Sequence, residues 1–136
     1  MIALDTNVLV RYIVEDDPEQ SAVATKMIER VLGQNETIFI PQIVLCELVW
    51  VLSVAYRFKR EGIVGVLQQL RRGAQLVVEG ADDVRCAVES YAAGSGDFAD
   101  YLIAERSIAS GCSVIATFDR ALEADKRFAA PHHVAM

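Results

Sequence analysis

Ile2-Ala3-Leu4-Asp5-Thr6-Asn7-Val8-Leu9 begins with a short apolar run, halts at three polar residues and resumes as an apolar stretch. A short apolar run without alternation marks a strand buried on both faces, and an Asp ahead of an apolar-periodic stretch marks a helix N-cap. The segment therefore reads as a buried strand, Ile2-Ala3-Leu4, feeding a first helix over Val8 to Val14. The same alternation repeats along the chain. Asp17 as N-cap and Pro18 as first helical residue open a second helix, whose Val23, Met27, Ile28 and Val31 keep helical spacing up to Gly33. Thr37-Ile38-Phe39-Ile40 is a second strand. Pro41 opens a long helix through Tyr56, and another runs from about Glu61 to Arg72, closed by Gly73. Leu76-Val77-Val78 is a third strand, followed by a helix from Asp82 or Asp83 through Tyr91. After the break at Gly94-Ser95-Gly96, Asp97 begins a helix that reaches Ser110 and stops at Gly111. Ser113 to Ala116 is a fourth strand, and the weakly patterned tail has room for one edge strand at Val134. Strands alternating with helices, with no hairpin dipeptides, predict a parallel sheet covered on both faces. The expected fold is α/β: a three-layer α/β/α sandwich with a central parallel sheet, one domain over residues 1–136.

Composition narrows the class. With 136 residues, 53% hydrophobic and 24% charged, the chain can bury a sizeable core without staples, and disorder is excluded. Thirteen Lys+Arg against 19 Asp+Glu give a net charge of −6, which excludes a uniformly basic nucleic-acid binder but not a local basic patch. Such a patch exists. Residues 57–72 hold Arg57, Lys59, Arg60, Arg71 and Arg72 against Glu61, a local +4 that leaves −10 for the rest of a chain summing to −6. It reads either as a solvated helix surface or as a grip for phosphates or an acidic partner segment. Cys46, Cys86 and Cys112 are odd in number and have apolar neighbours, as expected of reduced core residues in a cytoplasmic protein. The first apolar run meets Asp5 too soon for a signal peptide, and Ile43 to Tyr56 is too short to span a membrane.

The chemistry is expected where acids meet strand ends, because ligands of open parallel sheets sit beyond the carboxyl ends of the strands. Asp5 and Asp119 each follow a strand of uncharged residues, while Glu47 and Asp100 lie near the starts of helices that follow such ends. Glu47 stands out, since 12 of the 14 residues from Ile43 to Tyr56 are apolar and its i±3 and i±4 neighbours include no base. A carboxylate so placed needs a partner or a cation. Four carboxylates drawn into one acidic pocket repel, each pair by roughly 3–4 kcal/mol at an effective dielectric near 20, and a divalent ion cancels that cost. An all-oxygen set suits Mg²⁺ or Mn²⁺, and such an ion serves phosphoryl chemistry by activating water and stabilising transition-state charge.

Leu4-Asp5-Thr6-Asn7-Val8-Leu9, the lone Glu47, Asp97-Phe98-Ala99-Asp100 running into Leu102-Ile103-Ala104, and Ala116-Thr117-Phe118-Asp119 together resemble the PIN-domain ribonucleases, and most closely the VapC-like toxins of bacterial toxin–antitoxin pairs. The resemblance covers essentially the whole chain in length, element order and motif spacing. It implies a Mg²⁺- or Mn²⁺-dependent endoribonuclease that hydrolyses RNA, forms a homodimer and is held inactive by a cognate antitoxin. It maps the acidic quartet onto Asp5, Glu47, Asp100 and Asp119, with Asp5 and Asp100 as metal ligands and Asn7, Asp97 and Thr117 in support. The last motif departs from the family pattern, with Phe118 before Asp119 and Arg120 after it. The apolar excess from Ile43 to Tyr56, more than one buried stripe requires, also predicts a homodimer through the helices spanning Pro41 to Arg72.

Other readings are weaker. A PIN-fold RNA-processing nuclease without a toxin role shares every motif. A haloacid-dehalogenase-like phosphohydrolase needs a second Asp where Asn7 stands, and a lysine in the stretch between Lys59 and Lys126, which has none. A phospho-receiver module needs adjacent acids at the first strand end, and a non-catalytic scaffold predicts a broken quartet. Asp16-Asp17 and Asp82-Asp83 read as helix-start charges. His132 and His133 lie in an irregular tail away from other ligand signals. Trp50 and the phenylalanines read as core or interface, with no stacking platform for single-stranded RNA.

Overall fold

A computed structural model of the chain describes residues 1–134. They form two compact units, Met1–Ala81 and the residues from Asp82 onward.

In the first unit the order is β1 (Ile2–Ala3), α1 (Thr6–Val14), α2 (Pro18–Gly33), β2 (Ile38–Ile40), α3 (Gln42–Val54), α4 (Arg60–Arg72) and β3 (Leu76–Val78). The three strands are parallel in the order β1-β2-β3, with Ile2 opposite Ile38 and Ile38 opposite Leu76. Each pair of parallel neighbours is joined by two helices, the crossover that parallel pairing requires. The central strand has Ile38 and Ile40 fully buried, and Leu9, Ile28, Leu45, Leu48, Leu52, Ile63 and Leu67 complete the core. β1 differs from the expected buried strand. It lies at one end of the strand order, Ile2 and Ala3 are exposed, and only Leu4 is buried.

Helix starts follow the sequence. Asp5 accepts the Thr6 N–H at 2.8 Å, so α1 begins at Thr6, two residues earlier than its apolar pattern suggests. Asp17 accepts the Gln20 N–H at 3.1 Å, with Pro18 in the first turn. The cap of α3 could not be read locally. Pro41 has no side-chain acceptor, and the Gln42 N–H donates instead to Glu79, 37 residues away, at 2.9 Å.

The second unit contains all but the first residue of α5 (Ala81–Ala93), then α6 (Phe98–Ala109), β4 (Ile115–Ala116) and β5 (Phe128–Ala129), with short 3-10 turns at Arg120–Leu122 and Pro131–His133. β4 and β5 are parallel, with Ile115 opposite Phe128. The additional strand is therefore Phe128–Ala129, and Val134 follows the second 3-10 turn without joining a strand. Tyr91 and Phe98 meet edge-to-face at 6.2 Å within a core that includes Val84, Val88, Tyr101, Leu102 and Leu122. The three cysteines are free, but none is in the core, and Cys112 is exposed.

Arg127 ties this unit together. Its guanidinium clasps Asp125 through Nε at 3.0 Å and Nη2 at 2.7 Å, and it reaches Glu105 on α6 at 3.3 Å and Ser90 on α5 at 3.4 Å. The Arg127 hydrogen bonds hold the Asp125 carboxyl below its ordinary range. A depressed carboxyl contributes stability above the usual carboxylate range and loses it as pH falls through the folded value. Arg127→Met should therefore cost about 2 kcal/mol, the worth of a partly exposed charged network, and lower the melting temperature by several degrees at pH 7. The deficit should narrow on acidification. A variant that melts like the parent at pH 7 would show that the clasp contributes nothing.

Candidate functional site

In the first unit, the start of α1 and the second turn of α3 are joined by a short polar chain. Asp5 takes the Thr6 N–H on Oδ1, and the Thr6 hydroxyl donates to Glu47 Oε1 at 2.9 Å across 41 residues of sequence. Thr6 is itself buried, so its N–H and hydroxyl tie the Asp5 and Glu47 carboxylates to one fixed residue. Sequence reasoning did not single it out. The only signal was its place between Asp5 and Asn7.

Glu47 corrects an expectation. It is exposed rather than buried among apolar neighbours. Helix α3 turns Val44, Leu45, Leu48, Val49 and Leu52 inward, whereas Ile43, Glu47, Trp50 and Val54 share the opposite stripe at helical spacing. Ile43 is 70%, Trp50 64% and Val54 58% exposed, so apolar composition did not mean burial here. Asn7 and Asp5 are exposed as well. Burial, and then the Glu47 charge, push the Cys46 thiol up, which makes it an unreactive neighbour.

In the second unit Asp97 is the N-cap of α6 and Asp100 sits one turn on. The two form a capping box, in which the Asp97 N–H donates to Asp100 Oδ2 at 3.2 Å. Burial chiefly raises the Asp100 carboxyl above its ordinary value. The Asp97 N–H opposes that rise, and the charges of Asp97 and Asp119 add to it. Asp119 thus belongs electrostatically with the α6 pair. It caps the following 3-10 turn by accepting the Ala121 N–H on Oδ1 at 2.9 Å, and its own N–H donates to the Thr117 hydroxyl at 3.1 Å. Each of the three acids takes up helix-start donors, and Asp97 and Asp119 lie close enough to help raise the Asp100 carboxyl. Carboxylates that repel in this way, all oxygen donors, fit a hard divalent cation. Among the described residues, no group of three or more His, Cys, Asp or Glu is placed to hold a metal ion.

The PIN domain model matches residues 2–126. The chain belongs to the PIN domain family. A VapC ribonuclease of Aquifex aeolicus (strain VF5) is similar, 28% identical over 120 residues that make up 88% of each chain. Membership sets aside the phosphohydrolase and receiver readings. Across this PIN domain the family match spans both units, with Asp5 and Glu47 in one and Asp97, Asp100 and Asp119 in the other. Among the described residues no helix is long and apolar enough to cross a membrane.

Proposed function

We propose that this PIN domain is an endoribonuclease that hydrolyses RNA phosphodiester bonds with Mg²⁺ or Mn²⁺, acting in the cytoplasm as the toxin of a toxin–antitoxin pair. Residues 1–136 are read as one nuclease domain. The observation that carries the reading is Asp100, whose carboxyl is raised by burial and by two neighbouring acids in a family-matched chain. The likeness to a VapC ribonuclease supports RNA as substrate and an antitoxin as partner.

Asp5, Glu47, Asp100 and Asp119 are the carboxylates that serve the reaction, with Asp5 and Asp100 as the metal ligands. Asn7, Asp97 and Thr117 support them. A bound divalent ion would supply charge neutralisation at the phosphate and a more acidic water. The chain's own side chains do the orienting. Thr6 fixes the Glu47 carboxylate from α1, the Asp97 N–H fixes one oxygen of Asp100, and Thr117 sets the backbone from which Asp119 projects. The exposed Ile43–Trp50–Val54 stripe of α3 supports the homodimer, because a monomer gains nothing by leaving that much apolar surface in water.

The test is cleavage of single-stranded RNA by the purified chain in Mg²⁺, in Mn²⁺ and in EDTA. Cutting in either metal and none in EDTA is expected. Equal cutting in EDTA, or none in both metals, would overturn the reading.

A further inference from the structure

Beside Asp119, the second unit opens into a cavity of about 620 Å³ lined by four aromatic rings, two of phenylalanine and two of histidine. Phe118 is 90% exposed, more than any other large hydrophobic side chain described, and with Arg120 it flanks Asp119 in sequence. Phe128, nearly buried, adds an apolar surface to the cavity. His132 and His133 also line it, their ring centroids 4.0 Å apart and their planes tilted by 53°. The 3-10 turn that carries them is fixed by the His133 N–H donating to the Ala130 carbonyl at 2.9 Å. The sequence expectation for the histidines is thereby corrected. His132 and His133 line the same cavity as Asp119 rather than standing apart from every acid, and Phe118 is exposed rather than core.

A lone exposed Phe needs no explanation. Here, however, the exposed ring shares a cavity with two imidazoles, a guanidinium and a carboxylate of the proposed quartet. That combination matches a nucleotide part by part. A flat ring offers a stacking face, imidazole nitrogens can hydrogen-bond a base edge, and Arg120 can pair a phosphate. Bases of single-stranded RNA are unstacked and are commonly held on Phe, His or Arg planes. The volume lies within the range of small-molecule pockets and gives room for a single nucleotide.

We infer that this cavity is a nucleobase subsite, in which Phe118 stacks on the base adjoining the phosphate to be cut. The inference rests on the ribonuclease reading, and its test separates the two. A labelled single-stranded oligoribonucleotide is bound in EDTA and cleaved in Mn²⁺, by the parent and by Phe118→Ala. The substitution should weaken binding and raise KM by roughly five- to a hundredfold, the range of one base–aromatic stack, with the loss falling on KM rather than kcat. Oligonucleotides carrying an abasic nucleotide at successive positions locate the base. One position should penalise the parent by the same factor and penalise Phe118→Ala no further, since the two changes remove one contact. Phe118→Tyr should restore binding. His132→Ala should weaken it at the same position, and both alanine variants should melt like the parent.

Equal affinity of parent and Phe118→Ala, or identical abasic profiles, would overturn the subsite while cleavage by the parent left the nuclease reading standing. The expected binding pattern without cleavage in either metal would leave the subsite standing and remove the nuclease reading. A parent that neither binds nor cuts RNA would remove both.

Discussion

Asp100→Asn should lower RNA cleavage by more than about a hundredfold and at the same time make the metal-free protein melt higher than the parent. The first effect follows from the proposed ligand role, because even residues that only orient a metal ligand typically cost ten- to a hundredfold when lost. The second follows from the physics of the site. Burial first, then the charges of Asp97 and Asp119, hold the Asp100 carboxyl above its ordinary value. For an acid with a raised folded value, the fold favours the protonated form. Its contribution is most favourable below the unfolded value and is lost as pH rises through the folded one. At pH 7 the ionised group is therefore a burden, which a neutral Asn does not carry. Asn also keeps an oxygen able to accept the Asp97 N–H. In EDTA the advantage of Asp100→Asn should be present at pH 7 and should vanish near pH 3. Added Mg²⁺ should raise the parent more than the variant, because an ion that binds only the native state stabilises in proportion to its occupancy. A plain helix-start Asp gives the opposite result. Asn would then cost a few tenths of a kcal/mol through the lost dipole interaction and leave the Mg²⁺ response unchanged. Melting curves in EDTA and in Mg²⁺ at the two pH values decide between them.

Local chemistry made most of this fold legible. Asp5, Asp17-Pro18 and Asp97 each mark a helix start with an acceptor that the backbone needs, and the apolar runs Ile38–Ile40 and Leu76–Val78 lie within one strand each. What stayed hidden depends on chain segments returning from a distance. Nothing near Pro41 announces that Glu79 will cap α3, and nothing near Glu47 announces the Thr6 hydroxyl. Periodicity around Glu47 gave the right helix and the wrong exposure, because a stripe apolar on every side does not say which side faces the core. The clasp of Arg127 on three segments is likewise a tertiary event. The histidines of the tail read as isolated because the parallel pairing of β5 with β4, which runs their segment alongside Thr117–Asp119, leaves no short-range mark in the sequence. The acids themselves were visible because strand ends and helix caps are local features. Their mutual field on Asp100 was not.

Gly96→Ala should destabilise the protein by about 1–3 kcal/mol and weaken its response to Mg²⁺, although residue 96 carries no ligand. A Cβ at this position would drive into the side chain of Leu122, a core residue 1% exposed, and would crowd the Tyr101 hydroxyl at 3.1 Å. The Gly96 N–H donates to that same hydroxyl at 3.0 Å, so the loop is fastened to α6 just one residue before Asp97. Relief can come only from moving Leu122, which lies in the 3-10 turn capped by Asp119, or from moving the loop that sets the Asp97–Asp100 capping box. Either shift displaces an acid of the proposed metal set, and stability and metal response should fall together. Leu122→Val removes the atom that would be struck. The pair Gly96→Ala/Leu122→Val should then be less damaged than the sum of its parts, by the coupling expected of residues in direct contact. Tyr101→Phe removes only the acceptor of the Gly96 N–H and should cost about 1 kcal/mol with a smaller change in the Mg²⁺ response. Additive losses in the double variant would mean that Leu122 is not what Gly96 makes room for. An unchanged Mg²⁺ response in a destabilised Gly96→Ala would separate the loop from the acids it precedes.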